Sequence, residues 1–223
     1  MLMKQFRKDF PALMRDNPVA YLDNACVTLK PQSVIDAIQD YYINSPGCGG
    51  RSVHRYGTHV SKTISQSRKK LSDFFSSPSV NEIVFTRNAT HSLNQIAKGL
   101  EWNKGDVVLT TDREHNSNLV PWLQLEQEQG IDHRIVRSNH DNTFNLESFE
   151  EACANAGSQL KMVSMSHVGN LDGVEIPVKD ITKIAKDYGA LVSIDGAQSA
   201  PHMSVDVQDL GIDFYSFSIH KML

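Results

Sequence analysis

The sequence predicts an α/β fold, a mostly parallel sheet with helices on both faces. Three observations predict it. From residue 82 onward, short apolar runs alternate with segments whose apolar residues recur at helical spacing. Five of those runs end in polar clusters, and the C-terminal ends of parallel strands are where an open α/β sheet gathers ligands. The chain has 223 residues, 40% hydrophobic and 22% charged, which is ordinary globular composition with length enough for a sizeable core.

Taken in order, residues 1–20 read as a short helix and a turn closed by Asn17-Pro18. Residues 21–24 read as a brief strand running into a polar turn. Residues 31–42 carry Val34, Ile35, Ala37, Ile38, Tyr41 and Tyr42 at helical spacing, and Pro31 suits a first helical turn. Residues 45–57, rich in Gly and Arg and without a period, read as loop. Residues 60–75 read as a second amphipathic helix. Strands follow at 82–86, 106–110, 133–136, 160–165, 190–194 and 214–218. Helices are expected between them at 92–100, 118–129, 146–156 and 178–188. Right-handed crossovers then bring the strand C-termini to one edge. No internal repeat or low-complexity segment interrupts the pattern.

Charge and cysteine content narrow the function. Lys and Arg number 22 against 26 Asp and Glu, a net charge of −4 without any like-charged block. That argues against a nucleic-acid or membrane face. No apolar run approaches the ~18 residues of a membrane span, and the charged start has no signal-peptide core. Cys26, Cys48 and Cys153 are odd in number and lack C-x-x-C spacing, so neither a disulfide framework nor a zinc site is expected. A cytoplasmic protein is the natural expectation.

The strand ends hold the chemistry. Thr86-Arg87-Asn88-Ala89-Thr90-His91-Ser92 opens a helix, whose free N–H groups and Thr90 hydroxyl suit a phosphate; the alternative is that Thr90 simply caps that helix. No G-x-G-x-x-G or Walker pattern is present. After the next strand, His115 is placed to lie flat on a planar ligand, against the bland reading of a satisfied structural histidine; zinc through His115, His133 and His140 is disfavoured by their spacing. Asn170, in Ser166-His167-Val168-Gly169-Asn170, can donate to a phenolic oxygen or a carboxylate, or serve only the turn beside Gly169.

Asp195 ends an apolar run, and a carboxylate there is costly unless paired. A protonated heterocycle nitrogen is a good partner, and a helix cap or Mg²⁺ site are the alternatives. Gly196-Ala197 is read as leaving room for a flat ring, with Gln198 reaching it from the side. Lys221 alone would be a surface lysine. It stands 26 positions after Asp195, preceded by Ser218-Ile219-His220. An acid at a strand end with a downstream lysine is the pairing a pyridoxal phosphate site needs: the lysine holds the aldehyde as a Schiff base, and the acid keeps the ring nitrogen protonated.

Together these segments resemble the class V aminotransferase family, most closely its cysteine desulfurase and selenocysteine lyase branch. The resemblance rests on ordered motifs: Tyr21-Leu22-Asp23-Asn24-Ala25, Ser52-Val53-His54-Arg55, Glu82-Ile83-Val84-Phe85-Thr86-Arg87, Glu114-His115-Asn116-Ser117-Asn118, His167-Val168-Gly169-Asn170, Asp195-Gly196-Ala197-Gln198-Ser199-Ala200-Pro201-His202 and Ser216-Phe217-Ser218-Ile219-His220-Lys221. It implies the large domain of a fold-type I pyridoxal 5'-phosphate enzyme, incomplete at the C-terminus. Residues 21–223 would form part of that domain, and residues 1–20 would pack with a small C-terminal domain absent from the sequence.

The resemblance also implies roles. Lys221 would hold the cofactor and act as base on the substrate α-proton. His115 would stack on one ring face and relay protons, with Ala197 on the other. Asp195 would pair with the ring nitrogen and Gln198 with the phenolic oxygen, near Asn170. Ala89, Thr90, Ser218 and His220 would hold the phosphate, and Asn24 and Ala25 would border the amino-acid substrate. The implied reaction takes sulfur from L-cysteine, giving L-alanine and an enzyme persulfide that a sulfur-acceptor protein would relieve. An aminotransferase, epimerase or other lyase of the class, or a non-catalytic product, is the alternative.

A homodimer is implied when the protein is full length, and the 223-residue chain is expected to be inactive alone. The desulfurases' nucleophilic cysteine and carboxylate-binding arginine are expected beyond position 223. The phosphate turn reads Asn88-Ala89-Thr90-His91 where relatives often have Gly-Thr-Thr-Glu, and the family's His-His pair is His115-Asn116. Cys26, where Ala is usual, is expected as a buried structural thiol rather than a reactive one.

Overall fold

The computed structural model describes residues 5–17 and 20–223. Pro18, and with it the turn expected at Asn17-Pro18, lies outside the described residues. The chain divides into two compact units: residues 1–74, 78–83 and 219–223 in one, residues 75–77 and 84–218 in the other.

The larger unit is built on five parallel strands: β1 (Val107–Thr111), β2 (Asp132–Val136), β3 (Leu160–Ser166), β4 (Leu191–Asp195) and β5 (Phe214–Ser216). Their order is β2-β1-β3-β4-β5, every pairing parallel. The helices are α3 (Ala89–Gly99), α4 (Asn116–Gln129), α5 (Leu146–Ala156), α6 (Val178–Asp187) and the short α7 (Val207–Leu210), with α1 (Gln32–Asn44) and α2 (Arg55–Phe74) in the smaller unit. The α/β reading therefore holds, with helices on both faces.

Alternation along the strands assigns those faces. Val107 and Leu109 of β1 pack in one core with Phe149 of α5 and Ile181 and Ala185 of α6. Val108 between them points to a second core with Ala97 of α3 and Trp122 and Leu125 of α4. In β3 the parity breaks once: Leu160 and Val163 share the first core, and Met162 the second. A register shift against Val107 and Val108 accounts for it. The extra residue is Lys161, whose Nζ binds Asp106 Oδ2 at 2.7 Å and sits 5.0 Å over the Trp102 ring. Gly130 ends α4 in the left-handed conformation (φ 72°, ψ 30°), a position a side chain would strain.

The smaller unit carries α1 (Gln32–Asn44), α2 (Arg55–Phe74) and 3₁₀ turns at Arg7–Asp9, Pro11–Leu13, Val80–Glu82 and Ile219–Lys221. Helix α2 begins five residues before its sequence-based start. Two predicted strands are absent. Residues 21–24 run without a ladder into a turn at Asn24–Cys26, and Leu22 is 91% exposed. Residues 82–86 are a 3₁₀ end followed by extended chain, again without a ladder among the described residues. Both segments have strand composition, but a strand needs a partner whose backbone groups it can satisfy.

Candidate functional site

Three strand ends stand side by side in the larger unit. Ser166 of β3 pairs with Asp195 of β4, and Asp195 with Ser216 of β5. Asp195 is 4% exposed, and its Oδ1 accepts from the Ala197 N–H at 2.9 Å. That bond tightens the Asp195-Gly196-Ala197 turn and holds the carboxylate at the strand tip. Gln198 is buried, and Ala197 half-buried.

The glycine between them has a different reason from the expected one. A Cβ on Gly196 would lie 2.1 Å from Tyr215 Cζ. The space is thus used by the Tyr215 ring, whose hydroxyl meets Ser199 Oγ at 2.7 Å, rather than reserved for a ligand. Burial raises the Tyr215 pKa, the Ser199 bond opposing and the Asp195 charge adding to it.

Beside β5, α3 presents its N-terminus. Its cap is Asn88, not Thr90: Asn88 Oδ1 accepts from His91 N–H at 2.9 Å, and Thr90 is exposed. Capping demands extended backbone at the residue before the helix, and Asn88 has it (φ −171°, ψ 179°), whereas Thr90 is already helical. The Ala89 N–H donates to Ser218 Oγ at 2.9 Å, both residues buried, and Ser92 Oγ lies 2.7 Å from Ser216 Oγ. The expected phosphate group of Ala89, Thr90 and Ser218 is thus gathered at one helix N-terminus, where N–H groups and the dipole favour an anion.

His115 caps α4. Its Nδ1 accepts from Ser117 N–H at 3.1 Å and lies 2.6 Å from Ser117 Oγ. His115 and Asn170 wall the same cavity of about 400 Å³, together with Arg113, Glu114 and Asp172. Arg113 binds both Asp172 and Asn142 Oδ1, the latter at 2.6 Å. Neither Asp195 nor Gln198 is among that cavity's walls. Among the described residues no three His, Cys, Asp or Glu are placed to hold a metal ion.

Asn24, Ala25, His220 and Lys221 belong to the smaller unit. Asn24 Oδ1 accepts from Thr28 Oγ1 at 3.1 Å within an exposed turn. The His220 carbonyl accepts from Lys30 Nζ at 2.9 Å and from Thr28 N–H at 3.0 Å, which fixes the backbone just before the half-buried Lys221. Partial burial and then the Lys221 and Lys30 charges lower the His220 pKa. Cys26 is exposed, contrary to the expected buried thiol, because the Asn24–Cys26 turn faces solvent; Cys48 is exposed too.

Sequence reasoning missed four residues here: Asn88, Glu114, Asn118 and Ser216. Glu114 and Asn118 carried a readable signal, an acid and an amide four apart at a helix start. Ser216 carried none, since only strand pairing sets it beside Asp195.

A parallel α/β sheet with a buried acid at a strand tip and an anion-suited helix start one strand away is the setting in which open α/β sheets gather a ligand. Residues 20–223 match the family aminotransferase class-V, and the chain belongs to it. Over 224 residues the chain is 38% identical to a probable cysteine desulfurase of Halalkalibacterium halodurans, covering 98% of this chain and 54% of that protein. The apo structure of the cysteine desulfurase from Thermococcus onnurineus superposes with a TM-score of 0.90 at 37% identity, over 98% of this chain and 53% of that one. C-DES, a cystine C–S lyase, also matches: a lysine variant with glycine covalently linked to its pyridoxal phosphate cofactor has a TM-score of 0.84 at 25% identity, over 97% of this chain and 56% of that one. The chain thus spans about half the length of the curated relatives it matches.

Proposed function

We propose that these residues form the pyridoxal phosphate-binding part of a cysteine desulfurase-like enzyme, one that takes sulfur from L-cysteine and leaves L-alanine and an enzyme persulfide. The observation that carries the reading is Asp195, a carboxylate held 4% exposed at the tip of an interior strand. A carboxylate at that strand tip favours a proton on a pyridine nitrogen set against it, since the opposite charge stabilises the protonated ring.

The donor set fits the cofactor. The N-terminus of α3 with Ser218 suits a phosphate, and Thr90 and, on the family resemblance, His220 would add further donors. When bound, pyridoxal phosphate supplies an aldehyde for the amine and a ring that withdraws electrons from the α-carbon. Asp195 would hold a proton on the ring nitrogen. Lys221 Nζ would tether the group and supply the base for the substrate α-proton. His115 would cover one ring face and Ala197 the other, Gln198 would donate to the phenolic oxygen with Asn170 near it, and Asn24 and Ala25 would border the substrate. Residues 1–20 belong, on this reading, with a small domain outside residues 21–223. The working protein is a cytoplasmic homodimer that passes sulfur to an acceptor protein.

The test is a chemical one. The chain is incubated with pyridoxal phosphate, reduced with borohydride and digested, and the labelled peptide is identified by mass spectrometry. Label at Lys221, lost in Lys221→Ala and strongly weakened in Asp195→Asn, is expected. Label spread over surface lysines, unchanged by either substitution, would overturn the assignment.

A second reading keeps the cofactor and changes the reaction to C–S lysis, and the likeness to C-DES favours it. The two readings separate by product in a protein of the relatives' length: alanine from a desulfurase, and pyruvate with ammonia from a lyase.

A further inference from the structure

We infer that Glu114 is the positioning residue for His115, locking the imidazole into the tautomer with its proton on Nε2. The proposal deepens the reading above, since His115 is the ring-facing residue there, but its grounds are in the free chain.

The Glu114 carboxylate accepts four hydrogen bonds from three elements. Oε1 takes the Thr111 hydroxyl of β1 at 2.6 Å and the Ser166 N–H of β3 at 3.1 Å. Oε2 takes the Ser166 hydroxyl at 2.7 Å and Asn118 Nδ2 of α4 at 2.7 Å. Asn118 is itself fixed, fully buried with its Oδ1 accepting from Ser164 Oγ at 2.6 Å. A half-buried acid with every strong acceptor direction filled has no conformational freedom left. It therefore pins the backbone one residue before His115 to two strand ends and to the first turn of α4.

His115 inherits that rigidity. As the cap of α4 its Nδ1 faces the Ser117 N–H at 3.1 Å, and the Ser117 hydroxyl stands 2.6 Å away. A backbone N–H can only donate, so Nδ1 must present its lone pair and the neutral ring must carry its proton on Nε2. The choice lasts only while His115 stays in register with Ser117, and Glu114 is what holds that register.

A glutamine at 114 has nearly the same shape but cannot keep this arrangement. Its amide on the Oε1 side would meet the Ser166 N–H, a donor that cannot turn. On the Oε2 side it would meet the Asn118 amide, whose orientation Ser164 has set. The double variant Glu114→Gln with Asn118→Asp restores complementarity, because the new carboxylate accepts from both the added amide and Ser164. The Ser166 hydroxyl then turns to accept.

The experiment is ¹⁵N NMR of the histidine side chains in the full chain without cofactor, the His115 signals assigned by their loss in His115→Gln. The wild-type chain should show one pyridine-like and one pyrrole-like nitrogen. Glu114→Gln should average them, and the double variant should return the wild-type pair. If the pair persists in Glu114→Gln while only the unfolding midpoint falls, Glu114 is structural and the inference is wrong. Should Glu114→Gln fail to fold, Ser166→Ala removes one of the four bonds, and an unchanged His115 pair there would equally overturn it. Since no cofactor is present, the outcome stands apart from the borohydride labelling at Lys221.

Discussion

Gly196 lies so close to the ring of Tyr215 that a Cβ added there would stand 2.1 Å from Cζ. The sequence marked it as a place of close approach, but could not say what approaches. The ring of Tyr215 does, from the strand position next to the pairing partner of Ser193. Gly196→Ala should therefore destabilise the protein by about 1–3 kcal/mol through overpacking. Urea denaturation measures it, and a cycle with Tyr215→Ala should recover much of that cost as coupling. Additive effects would mean the ring simply moves aside. The thiols make a second case. Cys26 and Cys48 are exposed, whereas burial, aided by the Glu150 charge, pushes the Cys153 thiol up to about 12. Native protein should thus titrate two thiols quickly with a disulfide reagent and the third only on unfolding. The Cys26 side chain was misjudged because composition gives a cysteine's average burial, while the exposed turn around Asn24 sets its actual one.

Among the elements, the order of helices and strands from β1 onward was legible, and α5 matches its expected span end to end. Apolar periodicity reports which face is buried, and these elements bury one face each on a shared sheet. Residues 21–24 and 82–86 were not legible for the same reason in reverse: period and β-branching are local, and ladder pairing is not. The α3 start lies between these cases. Its position was readable to within three residues, but Thr90 and Asn88 both suit a cap, and only backbone geometry chooses. In cofactor-free protein Asn88→Ala should cost about 1 kcal/mol, and Thr90→Ala close to nothing. With pyridoxal phosphate present, Thr90→Ala should instead weaken retention of the cofactor. Equal costs for the two substitutions in the free protein would place the cap elsewhere than the Asn88 Oδ1 to His91 N–H bond.

At the scale of the whole larger unit, acid stability follows from two histidines that the proposed chemistry does not use. His167 is 4% exposed, with Nδ1 buried and without a hydrogen-bond partner among the described residues, and Nε2 3.9 Å from a Glu175 oxygen. Burial lowers its pKa below the ordinary 6.5, the Glu175 charge opposing only in part. His133, with Nε2 2.8 Å from Thr110 Oγ1, is lowered by burial in the same sense, against the Glu126 and Asp132 charges. A group with a depressed folded pKa binds fewer protons folded than unfolded at any pH between the two values. Stability is therefore full above about pH 6.5 and falls as pH drops from there through the lower folded values. Carboxylates enter later. Burial alone would raise Asp106, but the Asn103 N–H and the Lys161 bond and charge carry it below 3.8, so its contribution is lost only under stronger acid. Urea midpoints measured from pH ~8 to ~5 should thus be flat and then decline, well above the carboxylate range. His167→Gln, which cannot take up the proton, should flatten part of that decline, and His133→Gln another part. A midpoint that stays level to pH ~5 in the wild-type chain, or a decline untouched by both substitutions, would show that these rings protonate in the folded state without penalty.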